Sequence, residues 1–108
     1  MNIEVQDLSP AEADARLREG TLTVVDVRPP QERELAAIAL PYAVLDPGAL
    51  EDLLAQPRDL PLGFLCHHGG RSAQAAEHFR AQGFTEVFNI AGGIDAWAQD
   101  VDPSVPRY

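Results

Sequence analysis

The chain has 108 residues, enough to enclose one hydrophobic core and too few for two. Eight arginines and no lysine face seventeen Asp and Glu for a net charge of -9, which repels nucleic acid and anionic membrane surfaces and leaves solubility as the plain reading. One cysteine cannot close an intramolecular disulfide, the opening "MNIEVQDLSP" lacks the charged and apolar regions of a secretory leader, and no apolar run approaches the ~20 residues of a membrane span, so the expectation is a soluble protein of a reducing, cytoplasmic compartment.

In chain order, "LSPAEADARLREG" predicts a helix, with Ser9 as N-cap, Pro10 at the first helical position, Glu12 placed to complete a capping box and Gly20 as terminator. "LTVVDV", from Leu22 to Val27, is short, β-branched and apolar on both faces, the habit of a parallel strand covered by helices. "RPPQERELAA" predicts a turn and a short helix, "YAVLD" a weak strand, and "PGALEDLLAQ" a helix with Leu50, Leu53 and Leu54 on one face.

"LGFLC" is the next strand, followed by "SAQAAEHFRAQGF", a helix with Ala75, Ala76 and Phe79 on one face, Gly83 at the left-handed terminating position and His78 turned to solvent. "TEVFNI" is the last strand; "AGGIDAWAQDV" turns on Gly92 and Gly93 into a short helix, and residues 101–108 are expected as an extended, proline-containing tail. Strands alternating with helices imply a single α/β domain over residues 1–108, with a mostly parallel sheet flanked by helices on both faces.

Between the fourth strand and its helix lies "CHHGGRS", Cys66 to Ser72. Sites in such sheets form at the carboxyl ends of strands. There the free amides of a helix N-terminus favour negative charge, and Gly69 and Gly70 let the backbone aim several N–H groups inward. A thiol in that nest is stabilised as thiolate, which makes Cys66 a candidate nucleophile, against the plain alternative of a small buried hydrophobe. His67 and His68 either rim the pocket or help hold an anion. Adjacent histidines with no other cysteine or histidine nearby do not build a four-coordinate zinc site, so no metal is expected.

"CHHGGRS", preceded by "DVRPPQERELAAI" and followed by "GGIDAW", resembles the single-domain rhodanese-like sulfurtransferases in motif order and spacing, from about Ile3 to the "VPRY" end. The resemblance implies their small three-layer α/β fold and a Cys66 that takes the outer sulfur of thiosulfate, releases sulfite, and passes the sulfur from a persulfide to cyanide or a thiol, a protein acceptor included. It implies no cofactor beyond the covalent persulfide, and the net charge of -9 speaks against a nucleic-acid or membrane partner.

His67, His68, Gly69, Gly70 and Arg71 would complete the six-residue active-site loop. Arg71 is the candidate to hold the anionic donor by its planar fork, or else it is a surface arginine paired with an acidic neighbour. Ser72 either lines the first helical turn or is an ordinary helix residue. Asp26 and Arg28 match the family's Asp-x-Arg and are read as loop supports or a structural pair; Gly92, Gly93 and Trp97 match its closing motif and are read as architectural. "AAIALPYAVLD" departs from the family's His-Ile-Pro-Gly segment, with Ala37, Ala39 and Leu40 there instead, which leaves acceptor preference open.

Two other functions remain. A phosphatase or arsenate reductase would also use a thiolate and an arginine around an oxyanion, but the related phosphatases carry one more residue between the two than separates Cys66 from Arg71. A non-catalytic binding module is disfavoured by the presence of Cys66, whereas a protein-directed sulfur relay would use the same persulfide.

Overall fold

The computed structural model describes residues 4–108. The first residues of the opening "MNIEVQDLSP" and the start of the family resemblance at Ile3 lie outside them. Ten elements follow in chain order: β1 (Gln6–Leu8), α1 (Pro10–Glu19), β2 (Thr23–Asp26), α2 (Pro30–Leu35), β3 (Ala43–Val44), α3 (Pro47–Leu54), β4 (Leu62–Leu65), α4 (Gly70–Ala81), β5 (Val87–Ile90) and α5 (Gly93–Asp100). The strands form one sheet in the order β1-β5-β4-β2-β3, and every neighbouring pair is parallel.

Local chemistry explains the helix ends. The Ser9 hydroxyl accepts from the Glu12 amide at 3.1 Å and the Glu12 carboxylate reaches back to the Ser9 amide, the reciprocal box read from the sequence; Gly20 closes α1 in the left-handed region at φ 76°. Asp46 caps α3 through the Ala49 amide at 2.8 Å. α4 starts at Gly70, slightly earlier than the sequence suggested, and has no side-chain cap at all.

The central strands are buried on both faces because successive side chains point opposite ways. Val24, Leu65, Phe88 and Ile90 pack with Ala13 of α1 and Ile94, Trp97 and Ala98 of α5. Val25, Leu62, Phe64 and Val87 pack on the other face with Leu53 of α3 and Ala76 and Phe79 of α4. These two clusters make the three layers, and they bring the carboxyl ends of β2, β4 and β5 side by side.

Two findings depart from the sequence reading. β1 is an extra strand on the sheet edge, with Gln6 and Asp7 exposed and only Leu8 buried, so its pattern carries little apolar signal. Residues 101–108 do not trail away as an extended tail. They turn at Asp102, whose carboxylate accepts from the Ser104 amide at 3.0 Å, bury Val105 in the α1/α5 core, and deliver Tyr108 to the carboxyl edge of the sheet.

Phe79 is wholly buried between Phe64 and Phe84, with ring centroids 5.0 and 5.4 Å away. Phe79→Ala should cost about 3–5 kcal/mol in urea unfolding, a large share of the roughly 5–15 kcal/mol that holds a small domain folded.

Candidate active site

β4 ends at Leu65, and the chain turns through Cys66–Gly69 into α4. Gly69 adopts φ 103°, a left-handed conformation that reverses the chain within one residue and turns its own amide onto the Cys66 sulfur at 3.1 Å. Ser72, in the first turn of α4 and fully buried, sets its hydroxyl 3.2 Å from the same sulfur. The helix end therefore needs no side-chain cap, because the sulfur occupies the place where its free amides point.

Burial by itself pushes the Cys66 thiol up. The Ser72 hydroxyl and the amides of Ser72, Gly69 and His68 outweigh it, and the net effect lowers the pKa from its ordinary value of 9.0. Cys66 is thus a shielded sulfur whose neighbours favour the thiolate, in contrast to an inert core cysteine, which lacks such donors.

The loop is held from its far side by α5. The amides of Ile94 and Asp95 donate to the carbonyls of Cys66 and His67 at 2.8 and 3.1 Å. Gly93 makes this approach possible: a Cβ there would lie 2.4 Å from both carbonyl oxygens, on a backbone already at φ 63°. The "GG" motif, read from sequence as a tight turn, is at this glycine a docking face for the loop that carries the nucleophile.

Asp26 and Arg28 come to the same edge as a buried pair, with Arg28 Nη2 2.7 Å from Asp26 Oδ2. Arg28 also donates to the Ala36 carbonyl at 2.8 Å and to the Tyr108 hydroxyl at 3.0 Å. It ties the segment after α2 and the C-terminal residues to β2, and among the described residues its hydrogen bonds go to these segments and not to Cys66. Asp26 and Arg28 are therefore braces of the site's wall.

In this structure Arg71 is paired with an acidic neighbour. Its two terminal nitrogens clasp both oxygens of Glu32 at 2.7 and 2.9 Å, and its side chain is about half exposed. Glu32 also accepts from the Tyr108 hydroxyl at 2.6 Å. Arg71 first, with Tyr108 adding to it, lowers the Glu32 carboxyl from 4.5 to about 2 against a smaller upward push from burial. Mild acid therefore leaves the pair intact, and a competing anion or a substitution is required to free the guanidinium.

The Tyr108 ring lies flat on His67, with centroids 3.9 Å apart at 6°, and His67 in turn lies 3.8 Å from His68. His67 Nε2 is buried with no hydrogen-bond partner. The fold also brings Asp95 beside the two histidines, with one potential ligand atom from each within 4.8 Å of the others; spacing alone did not reveal this third group. Asp95 is engaged by Arg107 at 2.9 Å, which holds its carboxyl below the usual range. Glu32, Asn89, Asp95 and Tyr108 are all site neighbours that sequence reasoning missed. Of these only Asn89, a polar residue in an apolar strand just before the glycine pair, carried a local signal.

The rhodanese-like domain model matches residues 9–100 of this sequence. The chain belongs to that family. Thiosulfate sulfurtransferase GlpE of Pseudomonas paraeruginosa is 34% identical over 97 residues, covering 90% of this rhodanese-like chain and 87% of the relative. Among solved structures, a rhodanese-related protein of Thermoplasma volcanium superposes with a TM-score of 0.74 at 28% identity, covering 95% and 99% of the two chains. The polysulfide-sulfur transferase homodimer of Wolinella succinogenes gives 0.75 at 30% identity, covering 92% of this chain and 77% of its own. Among the described residues no helix of this rhodanese-like chain is long and apolar enough to cross a membrane.

Gly93→Ala tests the docking of the loop. The added methyl must push α5 off the Cys66 and His67 carbonyls, so the variant should fold with a lower melting temperature and its Cys66 should alkylate at least several-fold more slowly at neutral pH than the wild type.

Proposed function

We propose that the protein is a thiosulfate-type sulfurtransferase in which Cys66 carries the transferred sulfur as a persulfide. The observation that carries this reading is the Cys66 sulfur itself, held at 3.1 Å from the Gly69 amide and 3.2 Å from the Ser72 hydroxyl at the start of an uncapped helix. Names of relatives at about a third identity support the thiosulfate donor.

The thiolate attacks the outer sulfur of thiosulfate. A new S–S bond forms, the bond to the sulfonate sulfur breaks, and its electron pair leaves with sulfite. The inward-facing N–H groups suit both the dianionic donor and the anionic persulfide. In the second half-reaction cyanide or a thiolate attacks the outer sulfur, and the electron pair of the breaking S–S bond returns to Cys66. The chain has no second cysteine to resolve the persulfide, so an external acceptor completes the cycle and ping-pong kinetics follow. The sulfur is carried covalently, so the reaction requires no cofactor, and a reducing, cytoplasm-like compartment suits a lone thiol. A protein acceptor would use the same chemistry.

Intact mass decides the matter. Wild type treated with thiosulfate should gain the mass of one sulfur and lose it on adding cyanide, and Cys66→Ser should gain nothing. No gain on wild type, together with hydrolysis of an aryl phosphate, would replace this reading by the phosphatase one.

Arg71 and Glu32 give a second, kinetic test. Arg71 meets the donor only by exchanging the Glu32 carboxylate for a thiosulfate oxygen, so Glu32→Gln should lower the thiosulfate KM and Arg71→Ala should raise it, each by several-fold, in steady-state cyanide assays. Equal KM values in both variants would remove Arg71 from donor binding.

A further inference from the structure

Asn89 is the buried polar residue of β5, only 8% exposed. It follows the strand alternation: Phe88 and Ile90 pack toward α1 and α5, which turns Asn89 with Val87 toward α4. Its Nδ2 donates to the Gly69 carbonyl at 3.0 Å. A carbonyl only accepts, so that bond fixes the amide's orientation and aims Oδ1 at the Ser72 hydroxyl, 2.6 Å away.

Ser72 therefore has one hydroxyl proton and two acceptors, Asn89 Oδ1 on one side and Cys66 Sγ on the other. We propose that Asn89 is a positioning residue that competes with Cys66 for the Ser72 proton and so sets the basicity of the nucleophile. When the sulfur is a thiol, its proton is donated to the Ser72 oxygen and the Ser72 proton to Asn89. When the sulfur is a thiolate, the Ser72 proton turns to it and Oδ1 gives it up. The hydroxyl rotates between two built acceptors, so neither state leaves the buried Ser72 hydroxyl with an unmade bond.

The consequence for turnover rests on the sulfur-transfer reading. In the persulfide the charge lies on the outer sulfur and Sγ becomes a poor acceptor, so the Ser72 proton returns to Asn89. On discharge the electron pair comes back to Sγ and the proton follows it. A thiolate kept somewhat basic attacks thiosulfate faster, and a less basic one leaves faster. Asn89 balances the two half-reactions.

The test reads the Cys66 pKa from the pH dependence of alkylation by iodoacetamide, in which sulfur bonds to carbon and iodide leaves. The charged and titratable groups around the loop, Arg71 with Glu32, Asp26 with Arg28, Tyr108, His67, His68 and Asp95 with Arg107, stay unaltered in each variant. Asn89→Leu removes the competing acceptor and should lower the apparent pKa by about half a unit or more, roughly a threefold gain in thiolate fraction below the pKa. Ser72→Ala should raise the pKa, and adding Asn89→Leu to it should change nothing further. Asn89→Val, well suited to a strand, repeats the experiment if the leucine variant does not fold.

A raised or unmoved pKa in a folded Asn89 variant, as a loosened loop would give, overturns the proposal. So does a drop that persists without Ser72. Alkylation requires no sulfur donor, so failure of wild type to take sulfur from thiosulfate would end the functional reading while leaving this result to stand or fall by itself.

Discussion

Two helix N-termini meet at one short loop, and their amides divide it between them. Those of α4 face the Cys66 sulfur, and those of α5 hold the Cys66 and His67 carbonyls. The first set favours charge on the sulfur; the second fixes the backbone that carries it. Both depend on a parallel sheet, because only parallel strands with crossover helices bring successive helix N-termini to the same edge. The site is thus the place where the topology leaves its unpaired backbone donors.

Around this loop the charged residues work as braces more than as reagents. Arg28 joins Asp26, the Ala36 carbonyl and Tyr108, and Arg71 is engaged by Glu32. At the rim Arg71 is held by Glu32, so an incoming dianion must displace a carboxylate to reach it. On the proposed sulfurtransferase reading this would separate two parts of donor recognition: neutral N–H and O–H groups at the sulfur, and an exchangeable ion pair at the rim.

Much of this was legible in the sequence where the deciding physics is local. Ser9, Glu12 and Gly20 mark α1 because capping acts within one turn, and the Val24–Val25 pair declares a strand buried on both faces. The Cys66–Ser72 loop was legible because strand, glycines and helix start are contiguous. β1 was not, since an edge strand with two exposed polar residues has no apolar alternation to show. Nor were Tyr108, Glu32 and Asp95, whose roles exist only after distant segments have closed on one another. Arg71 shows the same limit: its residue type and position were readable, and its partner, 39 positions away, was not.

The all-parallel sheet has a consequence for how the chain comes to be. No strand pairs with its sequence neighbour through a hairpin, so every pairing must first close a long loop, which slows folding. Cys66 is shielded only in the closed fold, in which Ile94 and Asp95, made well after it, dock on its loop. Until then the sulfur is an ordinary accessible thiol, free to meet the same thiol on another nascent chain, and a disulfide formed between two such chains would trap both before the sheet closes. Reductant is therefore needed most during synthesis and refolding, and the yield of native protein should depend on it far more than the endurance of the finished fold does.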